Sequence, residues 1–236
     1  MSERTAQGWQ PWAGLHAEPP ARESLRERKK RLTRQQLSDT ATQMFLERGF
    51  DAVRVSEVAE ACGVSEKTVF NYYPTKESLL LDRWDETMAA VRNGLTDPAV
   101  SPVEATIRIL NTEMDGLTGW FDAQSDPVQT AAQAARFVGL IDSTASLRAH
   151  QHDMMDRLHE VIAEILAGRA GMRPGDPEPQ MAAAALLGLW HIQFRALRGY
   201  LDGTRSPVEV RAAVAADVAR AARLVQAGLG SVSWAG

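Results

Sequence analysis

Positive charge is the first chemistry this sequence offers. Arg22, Arg26, Arg28, Lys29, Lys30, Arg31 and Arg34 crowd one short stretch against only Glu23 and Glu27. A run of this kind either is an idle flexible tail or serves polyanions, tracking phosphates or entering a minor groove. The whole chain carries a net charge of -4, and acidic residues outnumber basic ones from Trp84 onward, so any polyanion-binding face is local. Catalytic signatures are missing: there is no nucleophile elbow, Walker loop, zinc-ligand spacing or dinucleotide glycine fingerprint. His150 and His152 fall on different helix faces, and no carboxylate or thiol set completes a site with His159, so they read as solvated histidines. No enzymatic activity and no cofactor are expected, with a helical enzyme or a protein-binding adaptor as the alternatives. Cys62 is the single cysteine; it reads as a packed thiol and suits a reduced, cytoplasmic setting. No apolar run reaches the roughly 18 residues of a membrane span, and the N-terminus lacks the apolar stretch of a secretory signal.

The elements that position these residues announce themselves by their start signals. Thr33-x-x-Gln36, Ser101-Pro102-x-Glu104, Asp126-Pro127-x-Gln129 and Ser206-Pro207-x-Glu209 read as capping boxes, three of them with proline in the first turn. Helices are predicted at 33–48, 56–62, 66–72, 76–95, 102–120, 127–140, 144–168, 179–201 and 207–227, the helix at 76–95 opening at Thr75. No segment alternates with the period of a strand, so the fold class is all-α. Residues 1–21, rich in Gly, Pro, Gln and Glu, read as a disordered tail. Trp9 and Trp12 within it are either incidental or dock on the folded body. The division expected is a basic arm and a small helical unit at 22–80, then a larger helical unit at 81–236, joined mechanically by a long helix.

Between residues 55 and 73 two short amphipathic helices meet at a glycine turn. Val55, Val58, Ala59 and Cys62 share one face; Gly63-Val64-Ser65 follows; then come Thr68, Val69, Phe70, Tyr72 and Tyr73. Gly63 permits the turn, Val64 plugs the gap between the helices, and Ser65 caps the second helix. This is the pattern of a helix-turn-helix. Val69 and Tyr73 read as core. The string VAEACGVSEKTVFNYYPTKESL, Val58 to Leu79, resembles the TetR family closely, and the strong resemblance spans about residues 33–80.

That resemblance implies a three-helix N-terminal DNA-binding domain followed by a helical ligand-binding and dimerisation domain. It implies a transcription regulator, by family habit a repressor, that binds a pseudo-palindromic operator in double-stranded DNA as a homodimer and is released by a small-molecule effector. Lys67 and Thr68 would open the recognition helix near base edges and phosphate, with Ser65 and Asn71 on the same short element. Phe70, where the family usually has tyrosine, would meet a thymine methyl. Tyr72 would donate to phosphate, and Lys76 would meet phosphate as a point charge. Lys67 replaces the common glycine, and its ammonium favours a guanine. Arg54 replaces the usual threonine cap and adds a phosphate contact, leaving Ser56 as a possible cap.

The last two predicted helices are apolar or small on two sides. Val210, Val214, Val218, Ala221 and Val225 make one stripe, and Ala212, Ala215, Ala219 and Ala222 a second; Ala182 to Leu189 are small or apolar nearly all round. A helix with two such faces is buried on both, and a four-helix bundle from two subunits supplies the burial. By resemblance, an apolar or amphipathic effector would sit among Met114, Trp120, Phe137, Trp190, His191 and Phe194, with Asp115, His191 and Arg195 as polar anchors.

Overall fold

The computed structural model describes residues 24–81, 84–122, 126–230 and 234. Among them it has nine α-helices and no strand: α1 (Leu25–Arg48), α2 (Val55–Ala61), α3 (Glu66–Tyr72), α4 (Trp84–Leu95), α5 (Pro102–Asp122), α6 (Pro127–Ser143), α7 (Ala145–Ala170), α8 (Pro177–Tyr200) and α9 (Pro207–Leu229). The tail at 1–21, with Trp9 and Trp12, lies outside the described residues.

Two elements differ from the sequence-based expectation. α1 begins eight residues before Thr33 (33 less 25), because Ser24 and Glu27 form the capping box instead. The Glu27 amide donates to Ser24 Oγ at 3.2 Å, and the Ser24 amide donates to the Glu27 carboxylate at 3.0 Å. The intervening Leu, Arg, Glu and Lys residues are strong helix formers, so the basic run is helix from Leu25 rather than a flexible tail. The second difference is the helix expected at 76–95. Thr75 and Ser78 do cap one another, the Ser78 amide donating to Thr75 Oγ1 at 3.1 Å, but only a single 3-10 turn follows at Glu77–Leu79. α4 starts at Trp84, so the stretch 76–95 is not one continuous helix.

Two cores result. The first gathers Leu37, Ala41 and Phe45 of α1 with Phe50, Val53, Val58, Val69, Tyr73, Leu79 and Leu80. Gly49, at φ 87°, ends α1 and lets Phe50 fold back against Phe45, their ring centroids 4.8 Å apart. Phe137 and Ile141 of α6 and Leu147 of α7 belong to this same core, so the body reaches into the N-terminal unit. The second core lies among α4, α5, α7, α8 and α9, around the fully buried Trp190. Val210, Val214 and Val218 face inward on α9, as their spacing predicts. The Arg169 guanidinium closes the far end of this core. It donates to the carbonyls of Leu95, Val100 and Trp234 at 2.9, 3.0 and 3.0 Å, and burial pulls its pKa below the ordinary arginine value.

Candidate nucleic-acid interface and effector cavity

α2 and α3 are short, and their packing is set by the turn between them. The Gly63 φ is 66°, a left-handed value suited to glycine, and the Val64 amide donates to the Ala59 carbonyl at 2.9 Å. Ser65 then caps α3: its Oγ accepts from the Thr68 amide at 3.1 Å and lies 2.8 Å from Thr68 Oγ1. Val69 and Tyr73 are buried, and the Tyr73 hydroxyl donates to the Arg34 carbonyl of α1 at 2.8 Å. With α3 fixed on that face, Ser65, Lys67, Phe70 and Asn71 stand exposed, while Thr68 and Tyr72 are half-buried. Phe70 is 43% exposed.

Arg54 and Lys76 frame this face in different ways. Arg54 is itself the N-cap of α2, exposed, with its amide held by the Glu57 carboxylate at 2.7 Å; Ser56 lies inside the helix and does not cap it. Lys76 turns into the fold. Its ammonium donates to the Phe50 carbonyl at 2.6 Å and lies 4.3 Å from the centroid of the Phe50 ring. Burial lowers its pKa below the usual lysine value, opposed by Asp51, Glu77 and Glu57. Cys62 is half-buried, its thiol 3.8 Å from the Gln36 carbonyl, as expected of a packed residue.

The body holds a cavity of about 160 Å³. Met114, Phe137, Trp190 and Phe194 line it. His191 does not: it is exposed, as is Arg195, and neither lines the cavity. Asp115 is also no anchor, because it pairs with Arg211 on the surface between α5 and α9. The Trp120 side chain lies outside the described residues. The polar groups that do line the wall are others. Glu113 accepts from the Thr87 hydroxyl at 2.9 Å and from the Gln193 amide at 3.3 Å, and Gln193 is almost fully buried. The Trp190 indole N–H is buried without a hydrogen-bond partner among the described residues. The sequence did carry the signal. On α8, Gln193 falls one turn from Trp190 and beside Leu197, a polar residue within an apolar stripe, whereas His191 is rotated off that stripe.

The residues that match known family models run through both halves. Residues 37–82 match the model described as bacterial regulatory proteins of the tetR family, and residues 121–229 match that of the MftR C-terminal domain. The chain belongs to the TetR family. It is therefore a DNA-binding, helix-turn-helix transcription regulator, and its relatives are regulators as well. A Mycobacterium tuberculosis (strain ATCC 25618 / H37Rv) protein, provisionally named mycofactocin biosynthesis transcriptional regulator MftR, is 28% identical over 162 residues, covering 69% of this chain and 78% of that one. The regulator TcmR of Streptomyces glaucescens is 29% identical over 154 residues, 63% of this chain and 65% of that one. Among solved structures, NalD, the secondary repressor of the MexAB-OprM multidrug efflux pump in Pseudomonas aeruginosa, shares the fold. It has a TM-score of 0.51 at 17% identity, covering 81% of this chain and 97% of that one. No helix among the described residues of this TetR-family regulator is long and apolar enough to cross a membrane.

Proposed function

We propose that this TetR-family regulator is a homodimeric repressor of a pseudo-palindromic operator, released when a small-molecule effector enters the cavity. One observation carries the coupling. Leu80, Leu81, Phe137 and Ile141 line the cavity, and the same four belong to or pack against the helix-turn-helix core. A ligand that displaces this wall disturbs the core that also holds Val69 of α3. Because two recognition helices must match the repeat of one duplex, a small displacement costs much affinity.

The DNA-facing set is Arg54, Ser65, Lys67, Thr68, Phe70, Asn71 and Tyr72, on or beside α3. Lys76 supports them from the edge, since an ammonium has three donors and the Phe50 carbonyl takes one. The dimer uses α8 and α9. Met181 is 68% exposed, Val208 65% and Leu224 78%, among exposed Ala184, Ala212 and Ala219. A second copy would bury these apolar side chains, and the small ones permit close helix approach. The effector is mostly apolar, with a polar group for the Glu113–Gln193 end and an acceptor for the Trp190 N–H. A filled core would have favoured a protein-binding adaptor; the cavity favours a ligand.

The test begins with selection of bound duplexes from a random-sequence pool, where a palindrome is expected. Compounds are then screened for those that raise the melting temperature, and each is titrated into the protein–duplex complex. Release of the duplex is the expected outcome. Stabilising compounds that all leave the duplex bound would sink the coupling.

A further inference from the structure

We propose that the N-terminal extension of α1 is a rigid second DNA-binding element that grips phosphates flanking the operator; this rests on the DNA-binding reading above. The capping box at Ser24 makes residues 25–33 helix, so their charges are held in a fixed row. Arg26, Arg28, Lys29 and Lys30 are all exposed. No carboxylate among the described residues pairs with them, and the nearby Glu27 is committed to Ser24.

The row has a direction. At 100° per residue, Arg26, Lys29, Lys30 and Thr33 continue the stripe that further on is Leu37 and Ala41, the face buried against the rest of the helix-turn-helix unit. The basic stripe therefore overhangs the side on which α2 and α3 lie. Arg28 is on the opposite face, with the exposed Leu25 and Leu32. The place where the extension leaves the module is also known. The Arg34 carbonyl accepts from Tyr73, its guanidinium lies 5.3 Å from the Tyr73 ring centroid, and the Gln36 carbonyl faces Cys62. The extension thus departs beside the C-terminal end of the recognition helix. The nine residues from Arg34 back to Leu25 rise about 14 Å at about 1.5 Å each, the length of roughly four base pairs. A cationic helix at that position meets the phosphates just beyond a half-site. It supplies affinity without sequence preference, because backbone contacts carry no base information.

The experiment uses the full chain and two duplexes. Both carry the palindrome recovered from the random pool; one ends at the palindrome and the other continues by about eight base pairs on each side, twice the reach above. The parent is expected to bind the long duplex at least tenfold more tightly. The triple substitution Arg26→Gln, Lys29→Gln and Lys30→Gln, which retains helix propensity, should abolish that advantage. It should also make the salt dependence shallower by about 2.7 in log–log slope per helix engaged, the value for three phosphates. Arg28→Gln, on the opposite face, should bind like the parent, and all variants should melt together because the sites are exposed. Equal affinity of the parent for both duplexes overturns the proposal, as does a triple variant that keeps the long-duplex advantage. Failure of the recognition-helix reading looks different: no palindrome is recovered at all.

Discussion

In the helix-turn-helix the proposed DNA-facing side chains stand outside a filled core, whereas in the body the proposed effector-facing ones line a half-open pocket that cuts into one. Lys67 and Phe70 project from α3 while Val69, on the other face of the same seven residues, and the C-cap Tyr73 are sealed. In the body Trp190, Gln193 and Met114 are both core and cavity wall. The difference teaches where stability and function separate. Outward residues are changeable at little cost to folding, while cavity residues alter stability and ligand response together. Phe137 and Leu80 belong to both regions, so they are where one reports on the other.

The largest expected effect tests that shared wall. Phe137→Ala should cost about 3–5 kcal/mol in chemical denaturation, and it should also weaken DNA binding although the residue is remote from α3's exposed face. Unchanged DNA affinity would break the claim that the two regions share a wall. Next is Lys67→Ala. Discrimination at one base pair should fall by about 1–3 kcal/mol in competition binding, with folding stability altered by less than about 0.5 kcal/mol. A comparable loss of stability would place Lys67 inside rather than outside. Ser65→Ala should cost about 1 kcal/mol, since the Thr68 amide loses its cap. That loss should appear in both melting and DNA binding, because the cap is outward in position but structural in role.

The smallest effect concerns pH. Burial lowers the Lys76 pKa in the folded protein, so between that value and the ordinary 10.5 the unfolded chain binds more protons. Stability attributable to Lys76 therefore rises with pH through this alkaline window and is lowest below it. Lys76→Met should flatten that rise in denaturation curves taken across the window. An unaltered slope would show that the ammonium is solvated in the folded state, and would return Lys76 to the outward set.

Legibility differed between the regions for a physical reason. Gly63, Ser65, Val69 and Tyr73 act through neighbours a few residues away, so spacing alone placed them. The cavity is made by five helices, α4 to α8, with Leu80 and Leu81, meeting across sequence distances as long as the 80 residues between Gln193 and Glu113. Periodicity on α8 puts Trp190 and Phe194 on one face, and His191, one residue and about 100° on from Trp190, turns to solvent. Asp115 was likewise a polar residue near the right helix, and Arg211 on α9 takes it. The start of α1 lies ahead of Thr33 because the Ser24–Glu27 capping box opens a basic run with high helix propensity but no apolar stripe to mark it.

Sequence alone determined the all-α class, the helix-turn-helix, the turn at Gly63 and the inward valine stripe of α9, since each is written in local spacing, caps and conformational preference. Only the tertiary structure decided which polar groups face the cavity, that Lys76 turns inward on Phe50, that a 3-10 turn interrupts the link to α4, and that Phe137 serves both cores. Those depend on which distant helix occupies the space beside a residue, and no local pattern encodes that neighbour.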